Sequence, residues 1–195
     1  RVAPEASVQE LIDLLHACEA KLMWPWQLLV MLEAMLGKPD GGERGVALIP
    51  WILRLWGQLR RGLGAGWCDE KAGFWDQAIK GSSALQAALV TLALDEAAFH
   101  LRDTVVAELF LDLEKFYDCV MFSKLVFLAL DIQYPPVEMY MSLLTYLAPR
   151  VLRAHGVYAD DAITPHNGII AGCHAANHSA RAMLYHILEE THSLS

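Results

Sequence analysis

The sequence predicts an α+β fold that is predominantly helical and contains a few strands. Three observations favour this fold class. Apolar residues recur at helical spacing in several segments, a glycine-rich turn joins two extended segments, and one continuous apolar run ends at an aspartate. The chain has 195 residues, of which 55% are hydrophobic, so it can bury a sizeable core and is not a disordered tail.

The first third of the chain is expected to form two helices around a β-hairpin. The first helix should end before Pro25, because proline disfavours the helical conformation in the residue that precedes it. Residues 6–22 predict an amphipathic helix, and residues 28–35 an apolar segment that fits a strand or a helix. A glycine-rich turn at 37–42 and a return strand at 44–49 follow. A helix opened by proline is predicted at 50–61.

The rest of the chain is expected to be mainly helical. Residues 62–66 predict a glycine-rich connector, and residues 67–79 a short element of undetermined type. Further helices are predicted at 82–101, where Ser82 or Ser83 is the cap, and at 122–130, 137–147 and 173–191. The apolar run 105–113 is typical of a buried strand. Residues 149–158 are expected to include a strand, and residues 164–172 to form a loop.

Charge and cysteine content exclude some classes of protein. The net charge of −8 argues against a protein that only coats nucleic acid, although residues 21–61 hold six basic against three acidic side chains. No apolar stretch is long enough for a membrane span and no signal peptide is evident, so we expect an intracellular protein, nuclear or cytoplasmic, that is not secreted.

The four widely spaced cysteines are expected to be small buried thiols. The alternatives are a disulfide framework or a zinc site at Cys173, His174 and His178, which lacks a fourth ligand.

Asp112 is the sharpest candidate for chemistry, because it ends the apolar run at 105–113. A carboxylate beside a buried strand is costly unless it meets a charged partner, and Mg²⁺ is a usual partner. The alternative is that Asp112 caps the short helix expected at 115–118. Spacing alone leaves both open.

Three segments, in order, resemble motifs of one family. Residues 111–118 (Leu-Asp-Leu-Glu-Lys-Phe-Tyr-Asp) are similar to motif A, D-L-x-K-A-F-D, of the reverse transcriptases of non-LTR retrotransposons. Residues 38–48 are similar to the fingers motif K-P-x-G-x-x-R-P-I-x-L, and residues 54–56 to the R-L-W that often follows it. Residues 167–173 are similar to motif B, G-[IL]-x-Q-G.

The resemblance implies a partial right-hand polymerase, with a fingers-like region at 1–104 and a partial palm with motifs A and B at 105–195. The parent protein would then be an RNA-directed DNA polymerase, a nucleotidyltransferase with RNA template, DNA primer and dNTP as partners. Asp112 would be catalytic and, with the Leu113 carbonyl, would bind Mg²⁺ in a two-metal site.

The same resemblance assigns nucleotide-binding roles. Lys38 and Arg44 would grip the triphosphate, and Tyr117 would crowd the sugar 2′-position. The loop with Gly168, Ala171 and Gly172 would contact the incoming base pair and the template. Two departures stand out: Gly45 replaces the usual proline, which should loosen the hairpin, and Ala171 replaces the usual glutamine.

The tetrad at 158–161 (Tyr-Ala-Asp-Asp) has the form of motif C, Y-x-D-D, but it precedes the motif B segment, whereas the family has motif C after motif B. We therefore interpret Asp160 and Asp161 as an acidic surface turn far from Asp112. Motif C would lie beyond Ser195, so this chain alone should be inactive.

Two alternatives remain. One is a degenerate or co-opted relic that binds nucleic acid without catalysis. The other is a helical protein-interaction domain with chance motif matches, for which the sequence identifies no protein partner.

Overall fold

The structure is a computed structural model that describes residues 4–39, 41–73, 83–100 and 113–193. These residues form an α+β arrangement, as predicted, that combines helices with a small mixed sheet. The helices are α1 (Glu5–Lys21), α2 (Trp51–Glu70), α3 (Ala84–His100), α4 (Phe116–Cys119), α5 (Phe122–Asp131), α6 (Pro136–Tyr146) and α7 (Ala176–Ser193). The strands are β1 (Met31–Gly37), β2 (Glu43–Leu48), β3 (Arg150–Ala154) and β4 (Val157–Tyr158).

The sheet joins the predicted hairpin to a later part of the chain. Its order is β2-β1-β3-β4, with β1 antiparallel to β2 and parallel to β3. The hairpin register runs from Leu32 opposite Leu48 to Gly37 opposite Glu43, and the turn is closed where the Lys38 N–H donates to the Gly42 carbonyl at 2.6 Å. The ambiguous apolar segment is therefore a strand, preceded by a single 3₁₀ turn at Trp26–Leu28.

Three tryptophans anchor the core between the helices. Trp24, Trp56 and Trp67 are each at most 5% exposed, and Trp24 packs edge-on against Trp56 with ring centroids 5.3 Å apart. Each indole N–H is hydrogen-bonded, as is usual for buried indoles. The N–H of Trp24 donates to the Met141 carbonyl, that of Trp56 to the Glu19 carboxylate, and that of Trp67 to the Ile132 carbonyl. These contacts tie α2 to α1, the segment after α1 to α6, and α2 to the end of α5.

The predicted connector at 62–66 is wrong, because α2 continues through it to Glu70. Glycine is a poor helix former, but tertiary packing can override that local preference. Gly57 and Gly64 lie two turns apart on the buried face of α2, where the absence of a side chain leaves room for two histidine rings from the α7 region. The glycines therefore permit close packing instead of interrupting the helix.

The other described elements agree with the predictions. Helices α1, α3, α5, α6 and α7 and the strand β3 occupy the expected regions, and the Ser83 hydroxyl caps α3 by accepting from the Gln86 N–H at 3.1 Å. The predicted strand at 105–113 lies outside the described residues except for Leu113. Among the described helices none is long and apolar enough to cross a membrane.

Candidate functional site

A cavity of about 690 Å³ opens where β2, α2, α6 and the start of α7 meet. The end of β2 supplies apolar side chains, including Leu48, and α2 adds Leu53 and Trp56. Ala171 and Gly172, from the predicted motif B loop, line the same space. Two segments that the sequence analysis singled out separately are thus brought to one site, although most of the chain lies between them.

The charge of the cavity is opposite to that of the whole protein. Arg54 and Arg61 line it, and both are exposed, whereas no carboxylate of the described residues does so. The two arginines are seven residues apart on α2 and therefore share a face of the helix. Arg60, next to Arg61 in sequence, points to a different partner, the Glu19 carboxylate. The cavity is consequently suited to an anionic ligand in a chain of net charge −8.

Ser142 and His174 are two of the polar residues that line the cavity. Ser142 is 2% exposed, and within the described chain its hydroxyl has no hydrogen-bond partner, nor has Nε2 of His174. The His174 ring packs edge-on against Trp56, and burial lowers the pKa of His174, so that the ring is neutral near pH 7. The hydroxyl of Thr145, one turn further along α6, is instead satisfied by the Met141 carbonyl at 3.1 Å.

A buried ion pair lies beside the cavity. Nδ1 of His178, which also lines the cavity, is 3.3 Å from Oε1 of the fully buried Glu138. Burial alone lowers the pKa of His178, but its interactions with Cys68 and with Glu138 outweigh burial and raise the pKa to about 9. His178 is therefore charged at neutral pH and compensates the Glu138 carboxylate.

The cysteines are free thiols rather than disulfides. Cys18 and Cys173 are buried as predicted, and Cys68 is only partly buried. Cys119 is exposed, because it ends the short helix α4 at the surface. Sγ of Cys173 lies 3.4 Å from the Tyr146 hydroxyl and 3.8 Å from Nδ1 of His174, and burial raises the pKa of the thiol. No group of three or more potential metal ligands occurs within the ranges that the structure describes.

The segments that resemble motifs A and B are in direct contact. The Gly168 N–H donates to the Val120 carbonyl and the Ile169 N–H to the Tyr117 carbonyl, both at 2.8 Å. The Tyr117 hydroxyl donates to Oδ1 of Asn177 at 3.0 Å, and Asn177 lines the cavity. Gly168 has a φ of +89°, which strains any other residue, and a Cβ there would lie in tight contact, 3.1 Å from the Asp118 carbonyl oxygen, so both observations favour glycine at this position.

The predicted metal and phosphate ligands are not part of this cavity. Asp112 lies outside the described residues, and Leu113 is exposed, with its carbonyl accepting from the Phe116 N–H at 3.3 Å. Lys38 and Arg44 are exposed on the hairpin and do not line the cavity. Arg44 precedes the lining residue Val46 by two positions, so the two side chains share a face of β2.

Gly45 and the tetrad at 158–161 can be located as well. A Cβ at Gly45 would overlap the Glu33 carboxylate, which forms an ion pair with Arg150 at 3.3 Å, so glycine accommodates this pair. Asp160 and Asp161 are exposed directly after β4, which agrees with an acidic surface turn. Their distance from Asp112 involves a residue outside the described ranges.

Several site residues were missed by the sequence analysis, namely Arg61, Ser142, His174 as a cavity residue, and the pair of Glu138 and His178. A usable signal for Arg61 was its seven-residue spacing from Arg54 on one helix.

The comparisons with protein-family models and with curated proteins give no match for this chain.

Proposed function

We propose that this chain is the fingers and upper palm of a reverse-transcriptase-like polymerase, and that the cavity holds the template strand. The observation that supports the proposal is the convergence of the resembling segments. The end of the hairpin, α2 and the motif B loop line one cavity with two arginines, and the motif A segment is hydrogen-bonded to the motif B loop.

The side chains of the cavity suit a phosphate backbone. The guanidinium group of arginine donates two parallel hydrogen bonds that match phosphate oxygens, and Arg54 and Arg61 are exposed for such contacts. Gly172, with a φ of +84° and no atom within 4 Å of a Cβ placed on it, lets a strand approach the loop closely. RNA template, DNA primer and dNTP remain the proposed partners.

The proposal can be tested first by removing the two cavity arginines. Arg54→Ala/Arg61→Ala should weaken binding of a single-stranded RNA by about tenfold or more, because charged hydrogen bonds to phosphate are lost. The slope of log affinity against log salt should shrink by about 1.4, at roughly 0.7 for each phosphate contact on a single strand. Fluorescence anisotropy of a labelled oligonucleotide over a salt series measures both quantities.

Arg153→Ala is a suitable control, since Arg153 is exposed on β3, stacks over Tyr158 and does not line the cavity. This variant makes one charge change of the same kind and should leave the salt slope within error of the wild type. Equal losses per arginine in the control and the double variant would mean that binding depends on net charge, not on the cavity. Absence of RNA binding by the wild type would favour the protein-interaction alternative.

The catalytic part of the proposal concerns Asp112 and Leu113 as ligands of two Mg²⁺ ions, and it stays a prediction. A non-catalytic relic would bind RNA through the same cavity, so RNA binding does not separate it from a polymerase fragment. Primer extension by a longer protein that includes the rest of the palm does. Asp112→Asn should stop extension by a polymerase and leave RNA binding intact, whereas a relic extends no primer even with Asp112 present.

A further inference from the structure

Four exposed side chains form a row along one face of α2, which we call the α2 row. It consists of Trp51, Arg54, Gln58 and Arg61. Trp51 precedes Gln58 by seven residues, as Arg54 precedes Arg61, so the four side chains project from the same face of the helix. The last three line the cavity, and Trp51 continues the row by one turn beyond it.

Trp51 is the residue of the α2 row that phosphate binding does not explain. Its side chain is 63% exposed, whereas the tryptophans of the core, Trp24, Trp56 and Trp67, are each at most 5% exposed. An exposed indole offers solvent a flat aromatic face, and nucleobases stack on such faces whatever their identity. The aromatic face and the two arginines therefore provide one helix with contacts for both parts of a nucleotide chain.

The charges of α2 indicate the direction in which a polyanion would extend from the cavity. No acidic side chain lies in the first turn of α2, whereas Asp69 and Glu70 are exposed at its other end. The helix dipole has the same sense, because the free N–H groups at the start carry a partial positive charge. Phosphates are thus favoured toward the start of α2 and disfavoured toward its end, so a strand that leaves the cavity along the row passes Trp51. This charge pattern favours nucleic acid over an apolar protein surface as the occupant.

The length of the α2 row suits a short piece of single strand. Residues 51 to 61 extend along the helix by about 15 Å, at about 1.5 Å for each residue. About four stacked nucleotides cover the same distance, at about 3.4 Å for each nucleotide. Surfaces that bind single strands without sequence preference combine cations with aromatic side chains in this way.

We propose that the Trp51 indole stacks on a base of a single strand whose phosphates are bound by Arg54 and Arg61, so that the binding surface extends from the cavity over the first turn of α2. This inference rests on the proposed function, because it takes the ligand of the arginines to be nucleic acid. It adds a contact outside the cavity that depends on the presence of a base but not on which base it is.

The test separates base stacking from phosphate binding with two probes of equal length and charge, a uridine octamer and an abasic ribose-phosphate octamer. Trp51→Ala should bind the uridine octamer about tenfold more weakly and the abasic octamer as tightly as the wild type, since stacking on one base is lost. Trp51→Phe should keep most of the affinity, because a phenyl ring also stacks. The salt slope of Trp51→Ala should equal that of the wild type, because no phosphate contact is removed. Fluorescence anisotropy over a salt series measures these quantities.

Trp26→Ala is the matched control. Trp26 is 73% exposed, but it lies in the 3₁₀ turn before β1 and does not line the cavity. This variant should bind both octamers like the wild type. Arg54→Ala/Arg61→Ala should instead weaken both octamers alike. Because Trp26 and Trp51 are largely exposed, neither substitution should change the melting temperature much.

Each contrary result has a distinct meaning. Unchanged binding of the uridine octamer by Trp51→Ala overturns the stacking site and leaves the proposed function in place. Equal losses of Trp51→Ala on the two octamers overturn it as well, because the lost contact would not involve a base. Equal losses in Trp51→Ala and Trp26→Ala also overturn it, because the α2 row would then have no special part. Failure of the wild type to bind either octamer overturns the stacking site and the proposed function together, and favours a protein partner for the exposed indole.

Discussion

Gly64→Ala should lower the free energy of unfolding by about 2 kcal/mol, although alanine is the better helix former. Gly64 is buried on α2, and a methyl group there would overlap the His178 imidazole and lie 2.8 Å from Oε1 of Glu138. Neither group can withdraw at low cost, because each holds the other in a buried ion pair. Overpacking of this kind costs about 1–3 kcal/mol, which outweighs the gain in helix propensity.

The same helix supplies the controls for this substitution. Gly62 and Gly66 are exposed, and a Cβ at either position would meet no atom within 4 Å. Gly62→Ala and Gly66→Ala should therefore each stabilise the protein by about 0.5–1 kcal/mol through helix propensity. Urea unfolding measures all three variants. A stabilising Gly64→Ala of the same size as the controls would show that α2 does not pack against His178.

The error at residues 62–66 shows what a local pattern omits. Glycine spacing in the sequence describes backbone preference, whereas the role of Gly57 and Gly64 depends on histidines far along the chain. The amphipathic helices α1, α5 and α6 were predictable because their apolar spacing is contained in each segment. The hairpin was predictable because its turn residues and its strands are adjacent.

The residues of the candidate site also differ in how well a local pattern predicts them. The loop with Ala171 and Gly172 was identified from its sequence and does line the cavity. Lys38 and Arg44 were assigned to phosphate from the motif alone, and neither lines the cavity, because Lys38 lies in the turn and Arg44 near the start of β2, away from the end of the strand that reaches the cavity. The place where a strand meets distant helices is set by tertiary packing, which a motif in a single sequence does not encode. The assignment of Asp112 remains a prediction.

Protonation of His178 should make the protein more stable at pH 6.5 than at pH 9. The folded-state pKa of about 9 exceeds the ordinary histidine value of 6.5, so folding is favoured when the proton is bound. This stabilisation is fully present below pH 6.5 and is lost as the pH rises through 9. It amounts to about 3 kcal/mol, with little solvent screening because the His178 side chain is only 14% exposed.

His174 should act in the opposite direction at lower pH. Burial lowers the pKa of His174, so its stabilising contribution is present above pH 6.5 and is lost as the pH falls below that value. Together the two histidines predict a stability maximum near pH 6.5. Urea unfolding at intervals from pH 5 to 9.5, with the titration of each ring followed by NMR, measures the profile and assigns it.

Glu138→Gln should remove much of the rise in stability between pH 9 and pH 6.5, because it removes the negative charge that faces His178. At pH 7 the variant should be less stable than the wild type by about 2–3 kcal/mol, since a buried charge loses its partner. Asp131→Asn is the matched control, as Asp131 forms a 2.8 Å ion pair with His186 of the same helix α7 but is 57% exposed. Exposed pairs contribute about 0–1 kcal/mol, so this variant should change stability little.

The groups around His178 also decide how a contrary result would be interpreted. Glu138 faces it from α6, Cys68 from α2 and His174 from the segment just before α7, and Cys68 and Glu138 both raise its pKa. If Glu138→Gln kept the full pH dependence, Cys68 would have to be the dominant partner, and Cys68→Ala should then remove the dependence instead. If neither substitution changed the pH profile, His178 would not be charged in the folded protein, and the ion pair beside the cavity would have to be abandoned.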